Sequence, residues 1–247
     1  LAASGIGGPK MSAQGFQAWW PSDKLAVRGY AEVLRHYPEL LGIRNRLAER
    51  LLREPPDAFI GVDAPDFNLD LEARLKASGI RTIHFIGPSI WALRGERIEK
   101  IKRAVDHVLC IFPFEQALWA SHCIEATYVG HPLAQAIPMQ VDKVEAKRQL
   151  GLDPECPVVA LLPGSRVSEL TYLAERFVQA AKRMRQSEPQ LQFVLPAMPA
   201  LHARVMQVVQ AQGMTQYIRV LSGQSHAALA ACDVSLMASG TATLEAA

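Results

Sequence analysis

The sequence of 247 residues lacks most of the signatures that announce a function on their own. No apolar run is long enough to cross a membrane, and no signal-peptide pattern is visible. The net charge is only +2, so the bulk balance gives no reason to expect nucleic acid. The four cysteines, Cys110, Cys123, Cys156 and Cys232, are scattered and form no C-x-x-C pair. They are expected to be buried free thiols, with Cys110 and Cys232 in or beside apolar strand-like runs, in a reducing, cytoplasmic setting. The seven histidines have no metal-ligand spacing. There is no P-loop, no Gly-x-Ser-x-Gly, no internal repeat and no low-complexity tract. The glycines Gly5, Gly7 and Gly8 do not fit a dinucleotide fingerprint, since no strand is expected before them and Pro9 follows.

What is present is an alternation of short apolar runs with helical patterns. Strands are expected at residues 58–63, 82–86, 107–111 and 126–129, with helices at 69–78, 96–104 and from 115. After a proline-bearing connection at residues 130–142, a second series begins. Its strands are expected at 158–162, 192–195, 218–221 and 234–237, with helices at 170–186, 201–212 and 225–231. Strands separated by helices argue for parallel sheets covered on both faces. The fold class expected is therefore α/β, with two Rossmann-like domains, residues 1–136 and 137–247, and a cleft between them as the usual place for a ligand. Residues 25–35 and 41–52 read as two helical stretches, and Phe16, Trp19 and Trp20 as core. The chain opens on Leu1 and closes on Ala247 within a helical pattern, so it is expected to be part of a longer protein, missing material at both ends.

Two strand-to-helix turns carry candidate chemistry in the second series. In Pro163-Gly164-Ser165-Arg166, glycine permits close backbone approach, Ser165 offers a hydroxyl and Arg166 a planar fork suited to phosphate. In Ser239-Gly240-Thr241, the backbone N–H groups of a helix start favour an anion, and Glu245 could accept ribose hydroxyls. Each turn also reads as an ordinary loop with a cap and a first-turn acid. Together they point to a nucleotide diphosphate. In the first series, Asp63 falls at a strand's carboxyl end, either as a general base or, with Asp66 and Asn68, as a turn and cap residue. Trp91 either flanks a sugar or acyl group or covers the sheet edge. Arg94, Arg97, Lys100, Lys102 and Arg103 make a basic helix, read either as a solvated face or as a contact for an anionic headgroup.

These motifs, taken in order, resemble the lipid-A-disaccharide synthase family of GT-B glycosyltransferases. The resemblance is carried by Gly7-Gly8-Pro9-Lys10-Met11, Val62-Asp63-Ala64-Pro65-Asp66-Phe67-Asn68, Pro88-Ser89-Ile90-Trp91-Ala92, Phe112-Pro113-Phe114-Glu115, Gly130-His131-Pro132, Leu161-Leu162-Pro163-Gly164-Ser165-Arg166 and Ala238-Ser239-Gly240-Thr241-Ala242-Thr243-Leu244-Glu245. It implies an inverting transfer without a nicotinamide or metal cofactor, from UDP-2,3-diacylglucosamine to 2,3-diacylglucosamine 1-phosphate (lipid X). Asp63 would be the catalytic base and Arg166 would neutralise the departing diphosphate from across the cleft. Gly164, Ser165, Arg166, Ser239, Gly240, Thr241 and Glu245 would bind UDP. Asn68, Trp91 and Arg94 would lie on the acceptor and lipid side. The partners implied are the two acylated sugars and the cytoplasmic face of the inner membrane, met peripherally, with homodimer formation left open. Leu93 and Arg28 depart from the family pattern, which commonly has Trp and Met there. The residues present are expected to have little or no transferase activity alone. Two other readings are a UDP-N-acetylglucosamine 2-epimerase on the same architecture and a UDP-sugar or lipid-binding module without catalysis.

Overall fold

The computed structural model describes residues 2–22, 30–90, 97–238 and 240–247. The chain divides into two compact units, Leu1–Pro132 and Leu133–Ala247. In the first unit the elements are β1 (Ser4–Gly7), α1 (Pro9–Ser12), β2 (Gln17–Pro21), α2 (Tyr30–Arg53), β3 (Phe59–Val62), α3 (Pro65–Lys76), β4 (Thr82–Phe85), α4 (Ile98–Ala104), β5 (His107–Cys110), α5 (Pro113–Ser121) and β6 (Ala126–Tyr128). Strands β3 to β6 form one parallel sheet in sequence order, and β1 and β2 form a separate parallel pair. The second unit contains α6 (Leu133–Ala136), α7 (Lys143–Gln149), β7 (Val158–Leu162), α8 (Val167–Ser187), β8 (Gln192–Ala197), α9 (His202–Ala211), β9 (Ile218–Ser222), α10 (Ser225–Ala231), β10 (Val234–Met237) and α11 (Thr241–Ala246). Its sheet is also parallel, in the order β10-β7-β8-β9.

The α/β class with parallel sheets stands, and the expected strands lie where the apolar runs put them. Strand β7 is buried at every position because helices cover both faces of its sheet. On one face, Leu170, Ala174, Phe177, Val178 and Ala181 of α8 pack with Phe193, Leu195, Val205 and Val209. Their spacing is that of one helical stripe. On the other face, Ala228 and Ala231 of α10 join Val158, Ala160 and Val194. In the first unit, Trp119 of α5 is fully buried among Ile101, Val108 and Cys110. No helix among the described residues is long and apolar enough to cross a membrane.

Three local expectations are corrected. Gly5 and Gly7 sit inside a strand, β1, with Gly8 just past its end, and Gly7 lies against Phe16 so closely that a Cβ would overlap the ring. Residues 30–35 of the first helical stretch and the second stretch are one helix, α2, which continues through Pro38, while residues 25–29 lie outside the described residues. Interior proline costs about 3 kcal/mol, and α2 offsets it by burying Ile43, Leu47, Ala48 and Leu51. All four cysteines are free, but burial differs: Cys110 is buried, Cys156 and Cys232 are half-buried, and Cys123 is exposed. Burial, then the nearby Glu115 charge, push the Cys110 thiol up to about 11. As expected for core residues, Trp19 and Trp20, though half-buried, pack against Leu47, Ala48, Leu51, Leu71 and Leu75, and the Arg50 guanidinium lies 3.8 Å from the Trp19 ring centre.

Candidate functional site

The two turns expected to hold a diphosphate emerge from neighbouring strands. β10 pairs directly with β7, with Met237 opposite Leu162, and the Ala238 N–H donates to the Leu162 carbonyl at 3.0 Å. The sheet order reverses here, since β8 lies on one side of β7 and β10 on the other. Adjacent strands whose connections leave in opposite directions open a crevice at their carboxyl ends, where ligands of such sheets bind. Gly164 (φ 125°) and Gly240 (φ 136°) adopt backbone that other residues strongly disfavour, which accounts for a glycine in each turn. Thr241 opens α11. Ser239 lies outside the described residues, as do Trp91 and Arg94.

The donors of the first turn are engaged by one side chain. Glu169 Oε2 accepts the backbone N–H groups of Ser165 (2.9 Å) and Arg166 (3.2 Å), and Glu169 Oε1 accepts from Arg166 Nη1 at 2.8 Å. Glu169 is the third residue of α8, and this reach back to the turn starts the helix at Val167, three residues before its first buried apolar position. Its signal was in the sequence, as an acid three positions after Arg166. Glu245 pairs with His226 of α10 at 3.3 Å, a partner 19 residues earlier that no local spacing announces.

In the first unit, Asp63 and Ala64 follow β3 with φ of 49° and 44°, two consecutive non-glycine residues in the left-handed region. Such backbone costs of order 1–3 kcal/mol per residue and persists only where the surroundings enforce it. Asn68 supplies part of that enforcement. It is buried, and its Nδ2 donates to the Asp63 carbonyl at 2.8 Å and to the Val62 carbonyl at 3.3 Å. The Asp63 N–H is held by the Phe85 carbonyl of β4 at 2.9 Å. The Asp63 side chain is exposed and its carboxylate has no partner among the described residues. Ile86, just past β4, also has positive φ (70°). Asp66 pairs with Arg97 at 2.8 Å.

The basic helix is mostly neutralised within the unit. Besides Arg97, Lys100 meets Asp70 at 2.5 Å and Lys102 meets Glu99 at 3.3 Å. Burial pushes the Asp70 carboxyl up, but Lys100 and Arg44 outweigh it and hold it below the usual carboxylate range. Near the ends of β5 and β6, Phe112 stacks on Phe114 (5.8 Å between centres) and lies 5.7 Å from His131. Burial raises Glu115, although the Phe112 and Ile111 N–H groups that it accepts oppose the shift. Sequence reasoning passed over a further pair: His84 of β4 and Glu72 of α3, both fully buried, meet at 2.8 Å.

The Lipid-A-disaccharide synthetase family matches the chain over residues 1–247. The lipid-A-disaccharide synthase of Albidiferax ferrireducens is 60% identical over 100% of this chain and 64% of its own length. That of Verminephrobacter eiseniae is 57% identical over 98% of this chain and 63% of its own. The chain thus spans about 64% of the length of the first of these relatives. Among solved structures, the S. aureus MnaA–UDP co-structure superposes with a TM-score of 0.60 at 11% identity, over 97% of this chain and 74% of that one. That likeness shows a shared fold alone, an α/β architecture with parallel sheets. By the match along its whole length, the chain belongs to the lipid-A-disaccharide synthetase family.

Proposed function

We propose that the protein transfers 2,3-diacylglucosamine from UDP-2,3-diacylglucosamine to the 6-hydroxyl of 2,3-diacylglucosamine 1-phosphate, giving a β-1,6-linked tetraacyl disaccharide 1-phosphate and UDP. The observation that supports this reading is the direct pairing of β7 and β10, the strands that lead into the two turns, at the reversal in sheet order, in a chain of this family. The second unit binds UDP. Gly164, Ser165 and Arg166 take the diphosphate, residues 239–241 add the N–H groups of the α11 start, and Glu245 takes the ribose. The first unit supplies the base. Asp63 accepts the proton of the acceptor 6-hydroxyl as that oxygen attacks the anomeric carbon. The bond from that carbon to the diphosphate oxygen breaks, and UDP leaves with the electron pair. Attack from the face opposite the leaving group inverts the anomeric centre. Arg166 offsets the charge that gathers on the diphosphate, where a fixed cation is most effective.

Trp91 and Arg94 would meet the acceptor, and the work would be done peripherally on the cytoplasmic face of the inner membrane, because both substrates carry acyl chains. Asn68, with its amide donors on the Val62 and Asp63 carbonyls, acts on the acceptor side through the Asp63 turn.

The test is product analysis with the protein carried at the length of its curated relatives. Given the diacyl donor and lipid X, it should release UDP and a tetraacyl disaccharide 1-phosphate in equal amounts. A free epimerised sugar, or binding without turnover, would overturn the reading.

A further inference from the structure

We infer that Glu72 and His84 are positioning residues for Asp63, a proposal that rests on the reading of Asp63 as the base. Strands β3 and β4 pair with Gly61 opposite His84, two residues before Asp63. Glu72 reaches over this point from α3. Its two oxygens lie 2.8 and 3.1 Å from His84 Nδ1, and a Cβ at Gly61 would overlap Oε1. Only glycine leaves room for the carboxylate. Asn68 sits one helical turn before Glu72 on the same face, its Cβ 3.2 Å from where a Gly61 Cβ would stand, and its amide grips the Val62 and Asp63 carbonyls.

Two polar side chains, Glu72 and Asn68, therefore press on the end of one strand, directly below two residues in left-handed backbone, while His84 holds Glu72 from the neighbouring strand. Glu72 and His84 are both fully buried, and His84 Nε2 has no hydrogen-bond partner among the described residues. An apolar pair of the same volume would serve stability as well or better, since a buried polar pair gives back in desolvation much of what it gains. What an apolar pair would not supply is direction. The bond from Glu72 to His84 fixes α3 along its axis against β4, and with it the height of Asn68 and the start of α3 at Pro65. That height sets the Asp63 turn, and so where its carboxylate points. Losing such registration leaves a base present but misplaced, and small misplacements cost large factors in rate.

The experiment uses the protein at the length of its curated relatives, with Glu72→Gln, the double substitution Glu72→Leu with His84→Leu, and Asp63→Asn. Circular dichroism and thermal unfolding report that each variant is folded, and UDP affinity, which depends on the second unit, reports that the donor side is intact. Glu72→Gln should lower kcat about threefold and the double substitution about thirtyfold or more, with KM for both substrates and UDP affinity unchanged. In the Asp63→Asn background neither should cost anything further, because the pair acts only through Asp63. A folded Glu72→Gln protein with wild-type kcat overturns the proposal even if the double variant fails to fold. Equal losses with and without Asp63 overturn it as well, by making the pair merely structural. Wild-type kcat in Asp63→Asn alone would instead overturn the reading of Asp63 itself.

Discussion

Glu169 holds Arg166 by a 2.8 Å ion pair and, with its other oxygen, the backbone N–H groups of Ser165 and Arg166. These donors are the ones proposed for the donor's diphosphate. The carboxylate keeps the arginine fork in place, and its charge opposes a second anion in the same turn. Glu169→Gln keeps an acceptor for the N–H groups, as glutamine also closes a capping box, but removes the charge. UDP should bind this variant about threefold to tenfold more tightly, an effect of about 1 kcal/mol, by titration calorimetry. Weaker binding would mean that orienting Arg166 outweighs the repulsion.

The glycine of that turn makes a second case. Gly164 has φ of 125°, and a Cβ there would run into the Glu169 side chain. Gly164→Ala should destabilise the chain by about 1–3 kcal/mol and weaken UDP binding. Gly42 is the contrast, since it lies inside α2 with open space around a built Cβ. Gly42→Ala should stabilise by about 0.5–1 kcal/mol. Thermal unfolding of the two variants beside the parent checks both signs.

A third prediction concerns pH. Burial raises the Asp233 carboxyl, but the Val158 N–H, Lys147 and Lys143 outweigh it and bring the group to about 2 from 3.8. Lys147 is buried and also donates to the Pro154 and Cys156 carbonyls, so Asp233 pins α7 to the start of β7. A depressed carboxyl stabilises fully above its unfolded pKa and loses that contribution as pH falls through its folded value. The window is therefore about pH 4 down to 2. The side chain is 35% exposed, so solvent screening reduces the contribution to about 1–2 kcal/mol. At pH 7, Asp233→Asn should unfold at lower temperature than the parent, and the gap should narrow as pH falls from 4 toward 2. A gap independent of pH would mean that the charge contributes nothing.

The parallel sheets were legible because strands buried on both faces leave continuous apolar runs. Val158–Leu162 is such a run, and Val234–Met237 also lies where its apolar residues put it, although none of them is fully buried. Helix starts were less legible. α3 begins at Pro65 and α8 at Val167, each ahead of its apolar stripe, because a proline and a back-reaching glutamate set the first turn. β1 and β2 were missed because glycines and exposed side chains hide the strand pattern. The pairing of β10 with β7, which joins the two phosphate-type turns, is a matter of strand order, and strand order leaves no local trace. The Glu72–His84 pair spans 12 residues and two elements, so neither period nor motif marks it.

Asp63, held in a strained turn with its carboxylate exposed, is proposed here as the base of a sugar transfer. The most direct test compares Asp63→Asn with the parent, both at the length of the curated relatives, measuring disaccharide formation and UDP affinity side by side. Transfer should fall by about a hundredfold to ten-thousandfold, while UDP affinity stays within about twofold. Wild-type transfer by the folded variant would mean that Asp63 is not the base.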